Sequence, residues 1–544
     1  MNFTLSEINS KAALENKIRD FNKKSLHTQT LFVIVERKMI WEEGNIQMKD
    51  IFYTSTRDKN VHVRASEAIL AGLAPDGGLF VPESLPTLSV SLKDLPGLDY
   101  AGTAKVVMSS FLTDFTEEEL DHCIRSAYDE KFDDRAIAPL RNEGGAWYLE
   151  LFHGATIAFK DMALSILPYL MTTAAKKNNE DRQIVILTAT SGDTGKAALA
   201  GFADVPGTKI MVFYPKDGVS PIQEKQMVTQ KGDNTCVAGI RGNFDDAQSA
   251  VKRLFTDPAL KEKLSDNGYR FSSANSINIG RLVPQIVYYV YAYGRLLGEG
   301  VIKEGEPVNY VVPTGNFGNI LAAYYASKMG IPVGKLICAS NKNKVLYDFF
   351  ATGVYDRNRE FYLTSSPSMD ILISSNLERL IWYLTGCDDA KVRQLMDDLK
   401  NKGCYEITDD MKKELDLFFG GFADPDQTLE KMKSLYGETG YLIDPHTAVA
   451  SRVLDDYRSA TKDERTAVIA STASPYKFTR TAAAALGLDG EDDFALADQI
   501  SEKTGVKVPA AVESIRTAPI RHKNVLDIDE MEGAVLKFLA INDR

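Results

Sequence analysis

One lysine organises the candidate chemistry of this chain. Lys160 lies in His153-Gly-Ala-Thr-Ile-Ala-Phe-Lys-Asp-Met162, beside Phe159 and ahead of the apolar run that starts at Met162. Burying an unpaired ammonium is costly. A lysine in this setting is therefore exposed at a helix start, paired, or chemically employed, and desolvation frees an amine able to form a Schiff base. Four further stretches carry groups suited to anions or to a cofactor. Thr190-Ser-Gly-Asp-Thr-Gly195 opens a helix after a buried-strand pattern, where backbone N–H groups receive a phosphate or carboxylate. Ser191 or Asp193 reads equally well there as a plain helix cap. Gly195-Lys196 resembles the end of a Walker A loop, but Thr190 stands where glycine is needed and Ala197 where a hydroxyl is needed. Pro313-Thr-Gly-Asn-Phe-Gly-Asn319 is a glycine-rich loop between a strand and a helix, with Gly315 and Gly318 expected to supply its curvature. It is not GxGxxG, which disfavours a dinucleotide. In Ser272 to Arg281, Asn275-Ser276 precedes an arginine at a helix start: a fork for a second phosphate, or a capped helix with a surface arginine. Ala470 to Phe478 sets hydroxyls at the carboxyl end of a buried strand, facing the usual ligand crevice or capping a helix.

Each stretch is ambiguous alone. Together, an amine nucleophile, a phosphate loop, a second anion site and a strand-end hydroxyl fit pyridoxal phosphate. Its aldehyde needs the lysine, its phosphate the loop, and its ring nitrogen one partner. A serine or threonine partner leaves that nitrogen unprotonated. No carboxylate or histidine pattern has metal-ligand spacing.

These residues must be positioned by a chain of 544 residues, too long for one core. Hydrophobic content of 44% and charged content of 25% are ordinary for a globular protein. The net charge of −12 argues against a broad nucleic-acid or anionic-membrane surface. Five widely spaced cysteines without CxxC argue against a disulfide framework and fit a reducing cytosol. No transmembrane-length run or signal-peptide pattern is evident. The expected location is cytoplasmic, without nucleic-acid or membrane partners.

Residues 1–47 differ from the rest and carry no readable motif. Glu42-Glu43-Gly44 can be encoded as a purine-rich run a few codons before Met48, so this extension is expected to be a translated leader. Residues 48–135 read as an N-terminal module with a helix at Ala65 to Leu73 and a strand at Leu79 to Val81. From 136 to 340, short apolar runs alternate with helices, predicting a parallel sheet covered on both faces. Residues 341–440 are charged, helical and strand-poor, and read as an insertion without an evident role. The alternation resumes over 441–544.

The motifs also resemble a known family. His153-Gly-Ala-Thr-Ile-Ala-Phe-Lys-Asp is similar to the pyridoxal-lysine motif of threonine synthases. Ser191-Gly-Asp-Thr-Gly, Gly315-Asn-Phe-Gly-Asn, Asn275-Ser-Ile-Asn-x-x-Arg281 and Ser471-Thr-Ala-Ser-Pro-x-Lys-Phe478 resemble that family's other motifs. Tyr53-Thr-Ser-Thr-Arg57 and Gly77-Gly-Leu-Phe-Val81 resemble its bacterial and fungal branch. The resemblance implies an α/β, tryptophan synthase β-like (fold type II) pyridoxal-phosphate enzyme. Two sheet-containing domains with helices on both faces would be joined by the N-terminal module and the helical insertion. It implies conversion of O-phospho-L-homoserine and water to L-threonine and phosphate, by a monomer or homodimer. Lys160 would carry the cofactor and then move protons. Gly315, Asn316, Phe317, Gly318 and Asn319 would cradle its phosphate. Asp193 would lie near its ring hydroxyl, and Thr472 would face its ring nitrogen. Ser191, Gly192 and Thr194 would bind the substrate carboxylate, and Asn275, Ser276 and Arg281 the substrate phosphate. Ala155, Ser471, Ser474 and Tyr476 depart from the usual family residues without removing a chemical role. The alternative is a serine/threonine dehydratase or cysteine-synthase-like enzyme of the same fold, whose substrates need no second phosphate pocket. His153 reads as structural, and Asp444-Pro-His446-Thr447 as a helix cap.

Overall fold

The computed structural model describes residues 50–190 and 192–541. The leader expected over 1–47 and the candidate Ser191 lie outside the described residues.

Two parallel sheets carry the site. The first runs β16(Asn524–Leu526), β8(Thr235–Ile240), β7(Thr208–Pro215), β6(Gln183–Ala189), β9(Tyr269–Ser272), all parallel. The second runs β14(Phe418–Phe422), β11(Val333–Ser340), β10(Val308–Pro313), β15(Ala467–Ser471), β5(Ala146–Glu150), β4(Leu140–Glu143). Only β4 in that sheet is antiparallel to its neighbour.

Near-continuous apolar strands such as Ile184-Val-Ile-Leu and Tyr310-Val-Val demand cover on both faces. The packing follows the pleat. Tyr310, Val312, Leu336 and Cys338 enter one core, while the alternate residues Val311, Ile337 and Ala339 enter another. In the first sheet, Ile184, Ile186, Ile210 and Val212 join the large core, and Val185, Leu187, Met211 and Phe213 pack on the opposite side. The helix Ile279–Gly298 is buried almost all round and packs on Gly318–Lys328 and Tyr100–Phe111. The helix Pro445–Thr461 covers the other face of the second sheet, against β10, β11, β14 and β15. The N-terminal module contributes a small antiparallel sheet, β2(Asp58–Val63), β1(Tyr53–Ser55), β3(Phe80–Pro82).

The stretch 341–440 differs from expectation. It is helical in part, but it also supplies a β-ladder of β12(Val354–Asp356) and β13(Cys404–Glu406), and β14 extends the second sheet beside β11. The strand was illegible because Phe418-Phe-Gly-Gly-Phe422 carries two glycines, which weaken strand propensity. Gly421 is small for a packing reason: a Cβ there would lie 2.4 Å from the Val453 side chain.

Candidate active site

The backbone around Lys160 is laced to the end of β15. Leu151 N donates to Ser471 O (2.9 Å), Phe159 N to Thr472 O (2.8 Å) and Ser474 N to Ile157 O (3.1 Å). The intervening turn closes through Ile157 N to Gly154 O at 3.0 Å. Ile157 there has φ 52°, an unfavourable left-handed conformation for a β-branched residue. Asp161 holds the turn shut by accepting from Thr156 N (2.8 Å) and Thr156 Oγ1 (2.6 Å). Gly154 has to be glycine, since a Cβ would come within 2.6 Å of Asp161 Cβ. Lys160 is thus fixed immediately before the helix Asp161–Leu164, beside Thr472.

Its side chain is 11% exposed. Lys160 Nζ donates to Ser368 Oγ at 3.1 Å and lies 3.4 Å from Asp193 Oδ2. Burial pulls the Lys160 pKa below the ordinary lysine value; Asp193 opposes that shift, and the charges of Lys477 and Arg281 assist it. Asp193 Oδ1 accepts from Gln223 Nε2 at 2.9 Å and lies 3.2 Å from Lys477 Nζ. Burial alone would raise the Asp193 carboxyl, but Lys477 and Lys160 outweigh it and hold the group well below the usual carboxylate range. The fully buried Lys477 also donates to Thr156 O at 2.8 Å, so it ties Asp193 to the Lys160 turn.

The loop at Gly315–Asn319 is a nest of donors. Among the described residues, the backbone N–H groups of Gly315, Asn316, Phe317, Gly318 and Asn319 have no hydrogen-bond acceptor. They sit at the start of the helix Gly318–Lys328, where the helix dipole favours an anion. The curvature comes from Phe317, at φ 64°, rather than from the two glycines expected to supply it. Its buried ring packs against Phe350 and Phe418, which holds the backbone in that conformation. Gly315 is needed for a different reason: a Cβ would lie 2.4 Å from Ser368 O. The loop's carbonyls are tied down from one segment, by Ser374 Oγ to Gly315 O (2.6 Å) and Asn376 Nδ2 to Asn316 O (2.9 Å).

Arg281 is only 3% exposed. Its Nη1 donates to Ala274 O at 2.9 Å, and its Nε has no partner among the described residues. No described carboxylate pairs with it, and burial alone draws its pKa down to about 10, so it stays charged at neutral pH. The surface-arginine alternative is therefore excluded. Asn278 caps the helix Ile279–Gly298, and its Nδ2 also bonds Ile69 O and Ser273 O. Asn275 is exposed and Ser276 half-buried.

Asp193 is not a cap: Thr190 Oγ1 accepts from Gly192 N and Gly195 N, both at 3.0 Å. The Gly192 N–H is thereby occupied, while Thr194 is half-buried among otherwise buried residues of that helix turn. Thr472 is 4% exposed, and its N–H donates to Thr447 Oγ1 at 3.3 Å. Asp444 caps its helix as expected, accepting from His446 N at 2.9 Å. His153 bridges Asp133 (2.6 Å) and Glu150 (3.0 Å) and makes no contact with Lys160.

Sequence reasoning missed Ser368, Gln223 and Lys477. Lys477 carried a usable signal, since the cost argument applied to Lys160 applies equally to a lysine after a buried strand. Ser368 and Gln223 carried none. The donor nest, the desolvated amine and the buried guanidinium fit a phosphate-bearing aldehyde and a second phosphorylated molecule.

Known proteins place the chain in a family. Residues 52–128 match the family described as threonine synthase N terminus, and residues 139–472 match the pyridoxal-phosphate dependent enzyme family. Threonine synthase-like 1 from Homo sapiens is 41% identical over 426 residues, which cover 76% of this chain and 56% of that protein. The chain thus spans little more than half the length of that relative. Threonine synthase from Pseudomonas aeruginosa is 39% identical over 433 residues, covering 78% of this chain and 88% of that protein. The crystal structure of a PLP-bound threonine synthase from Brucella melitensis superposes with a TM-score of 0.80 at 34% identity, covering 90% of this chain and 99% of that one. With a fold-type II architecture and relatives of this identity and coverage, the chain belongs to the threonine synthase family of pyridoxal-phosphate-dependent enzymes.

Proposed function

We propose that this chain converts O-phospho-L-homoserine and water to L-threonine and phosphate, the last step of threonine biosynthesis, with pyridoxal phosphate as cofactor. The observation that carries the reading is Arg281: a buried guanidinium with no carboxylate partner among the described residues, its Nε unpartnered and its charge helping to lower the pKa of the Lys160 amine. A dehydratase or a cysteine-synthase-like enzyme has no phosphate on its substrate for such a group to hold.

Pyridoxal phosphate, when bound, supplies an aldehyde that joins covalently to amines and a conjugated ring that delocalises carbanion charge. Lys160 Nζ is the residue that would hold it. The five free N–H groups of Gly315–Asn319 would receive its phosphate, supported by their lack of protein acceptors. Asp193, kept ionised by Lys477 and Lys160, would face the ring hydroxyl, and Thr472 the ring nitrogen. Once released, the desolvated Lys160 amine is a base able to take the proton at the substrate Cα and return one later. Arg281, with Asn275 and Ser276 at the rim, would bind the substrate phosphate as it becomes a leaving group. Ser191 and Thr194 would take the substrate carboxylate, beside Gly192, whose own N–H is held by Thr190 Oγ1. Closure of both anion sites in a buried cleft would exclude bulk water and restrict the reaction to one oriented water molecule.

In this proposal residues 48–135 form an N-terminal module, 136–340 the catalytic core and 441–544 its completing C-terminal part, and residues 341–440 would support the cofactor site through Ser368, Ser374 and Asn376. Among the described residues no helix is long and apolar enough to cross a membrane. A cytoplasmic location and a monomeric or homodimeric state are part of the proposal. The test is direct. Purified protein loaded with pyridoxal phosphate should release phosphate from O-phospho-L-homoserine with stoichiometric L-threonine. Formation of a keto acid and ammonia from serine or threonine, with no phosphate release, would overturn the reading.

A further inference from the structure

Ser368 belongs to the stretch for which the sequence suggested no role, yet its hydroxyl lies between the buried Lys160 amine and the buried Asp193 carboxylate. Its Oγ accepts from Lys160 Nζ at 3.1 Å and donates to Asp193 Oδ2 at 3.0 Å. The direction is dictated by chemistry. An ionised carboxylate only accepts, and a hydroxyl has one proton to give. The chain of donors therefore runs amine, hydroxyl, carboxylate. Asp193 Oδ1 is already committed to Gln223 and Lys477, which leaves Oδ2 for Ser368 and Lys160.

The hydroxyl is held in place through its backbone. Ser368 N donates to His446 Nε2 at 3.2 Å, and the other ring nitrogen of His446 lies 2.8 Å from Asp444 Oδ1. That geometry selects the neutral tautomer with hydrogen on Nδ1. On the other side, Ser368 O packs against Gly315, where there is no room for a side chain. The surrounding loop is knotted by Asp370, which accepts from Asn341 Nδ2 (2.7 Å), Asn343 Nδ2 (2.9 Å), Thr364 N (2.9 Å) and Thr364 Oγ1 (2.8 Å). One residue thus touches the reacting amine with its side chain and the donor nest with its carbonyl.

We infer that Ser368 is a positioning residue that aims the lone pair of the Lys160 amine. This rests on the reading of Lys160 as the cofactor-holding lysine. A neutral amine has two N–H bonds and one lone pair. Ser368 Oγ and Asp193 Oδ2 take the two N–H bonds, so the lone pair has one remaining direction, away from both. Without the hydroxyl the amine can rotate about its terminal bond, and the lone pair samples unproductive directions. The step most exposed to that loss is condensation with the cofactor aldehyde. There Nζ bonds to the aldehyde carbon, and the aldehyde oxygen leaves as water carrying the two amine protons.

The test uses the full-length protein freed of cofactor. Mixing it with pyridoxal phosphate reports the covalent step as growth of visible absorbance. Pyridoxine phosphate, which has no aldehyde, reports the non-covalent site alone. Ser368→Ala should slow the covalent step by about 5- to 10-fold, the scale of one hydrogen bond, with pyridoxine phosphate affinity unchanged. Ser368→Thr keeps the hydroxyl and should restore the rate. Wild-type loading by the alanine variant would overturn the inference. So would parallel losses of loading rate, pyridoxine phosphate affinity and thermal midpoint that threonine fails to rescue, because these would mark a structural residue. Absence of visible absorbance in the wild-type protein would instead sink the assignment of Lys160 itself.

Discussion

The loop Gly315–Asn319 and the segment Asn275–Arg281 both offer donors to an anion, but from opposite materials. The first has neutral backbone N–H groups whose directions are set by Phe317 in the left-handed region and by carbonyls tied to Ser374 and Asn376. The second has one charged side chain, buried, with Nε unpartnered. A backbone nest is specific through its shape and indifferent to pH. A buried guanidinium attracts any anion strongly, but it destabilises the protein when nothing is bound. The pairing suits a cofactor that stays and a substrate that leaves. The nest would hold a resident group in fixed geometry, while the guanidinium would draw part of its binding energy from relief of an unpaired charge.

The comparison presupposes a reacting amine at the junction of the two sites. Lys160→Ala should therefore abolish turnover, by more than about 10⁴-fold, and remove the visible absorbance of bound cofactor. Residual turnover near the wild-type value would dissolve the whole arrangement. Arg281→Met tests the charged site. O-phospho-L-homoserine KM should rise by roughly 30-fold or more, as expected when one partner of a buried charge pair is removed, with cofactor affinity little changed. The same substitution should raise the thermal midpoint of the ligand-free protein, because it removes an unpaired buried charge. A fall in the ligand-free midpoint would mark Arg281 as a structural residue, and equal losses for cofactor and substrate would mean that the two sites have been interchanged.

Gly315→Ala tests the nest. Its Cβ would meet Ser368 O at 2.4 Å, so either the loop or the Ser368 strap must move. Cofactor affinity should fall by roughly 5- to 100-fold, the range for overpacking, while substrate KM at saturating cofactor changes less. Unchanged cofactor affinity, measured by absorbance titration, would show that the nest does not depend on its shape. The smallest effect is expected outside both sites and serves as a control. The carboxylates of Asp133 and Glu150 lift His153 to about 9 against the penalty of its burial. A folded pKa above the unfolded value of about 6.5 means that its stabilisation is full below pH ~6.5 and fades as pH rises through ~9. The stability difference between wild type and His153→Gln should shrink over that interval, with both anion affinities unaltered. A constant difference across the interval would remove the protonated His153 from the account.

The two sites also differ in how readable they were. The donor nest was visible as a glycine-rich loop between a strand and a helix, although the strained residue proved to be Phe317. Arg281 was undecided between a fork and a surface arginine, because burial depends on what packs over a side chain. Asp193 read as a possible cap, and only its surroundings of Lys477, Lys160, Gln223 and Ser368 make it an electrostatic centre. The stretch 341–440 was least legible. Its Ser368, Ser374, Asn376 and Arg379 reach Lys160, Gly315, Asn316 and Ile277 respectively, over sequence separations of 208, 59, 60 and 102 residues.

What the sequence alone determined is local. Apolar runs punctuated by turns specify the strands, small residues after a strand specify the anion loops, and a lysine beside an apolar run carries its chemical tension wherever it folds. The tertiary structure decided everything that depends on desolvation and on remote partners: which lysines lose water, which carboxylate stays ionised, and which serine bonds the amine. Period and propensity act over a few residues, whereas burial and hydrogen-bond partnership in this protein are set by segments that meet only after the two sheets have closed around Lys160.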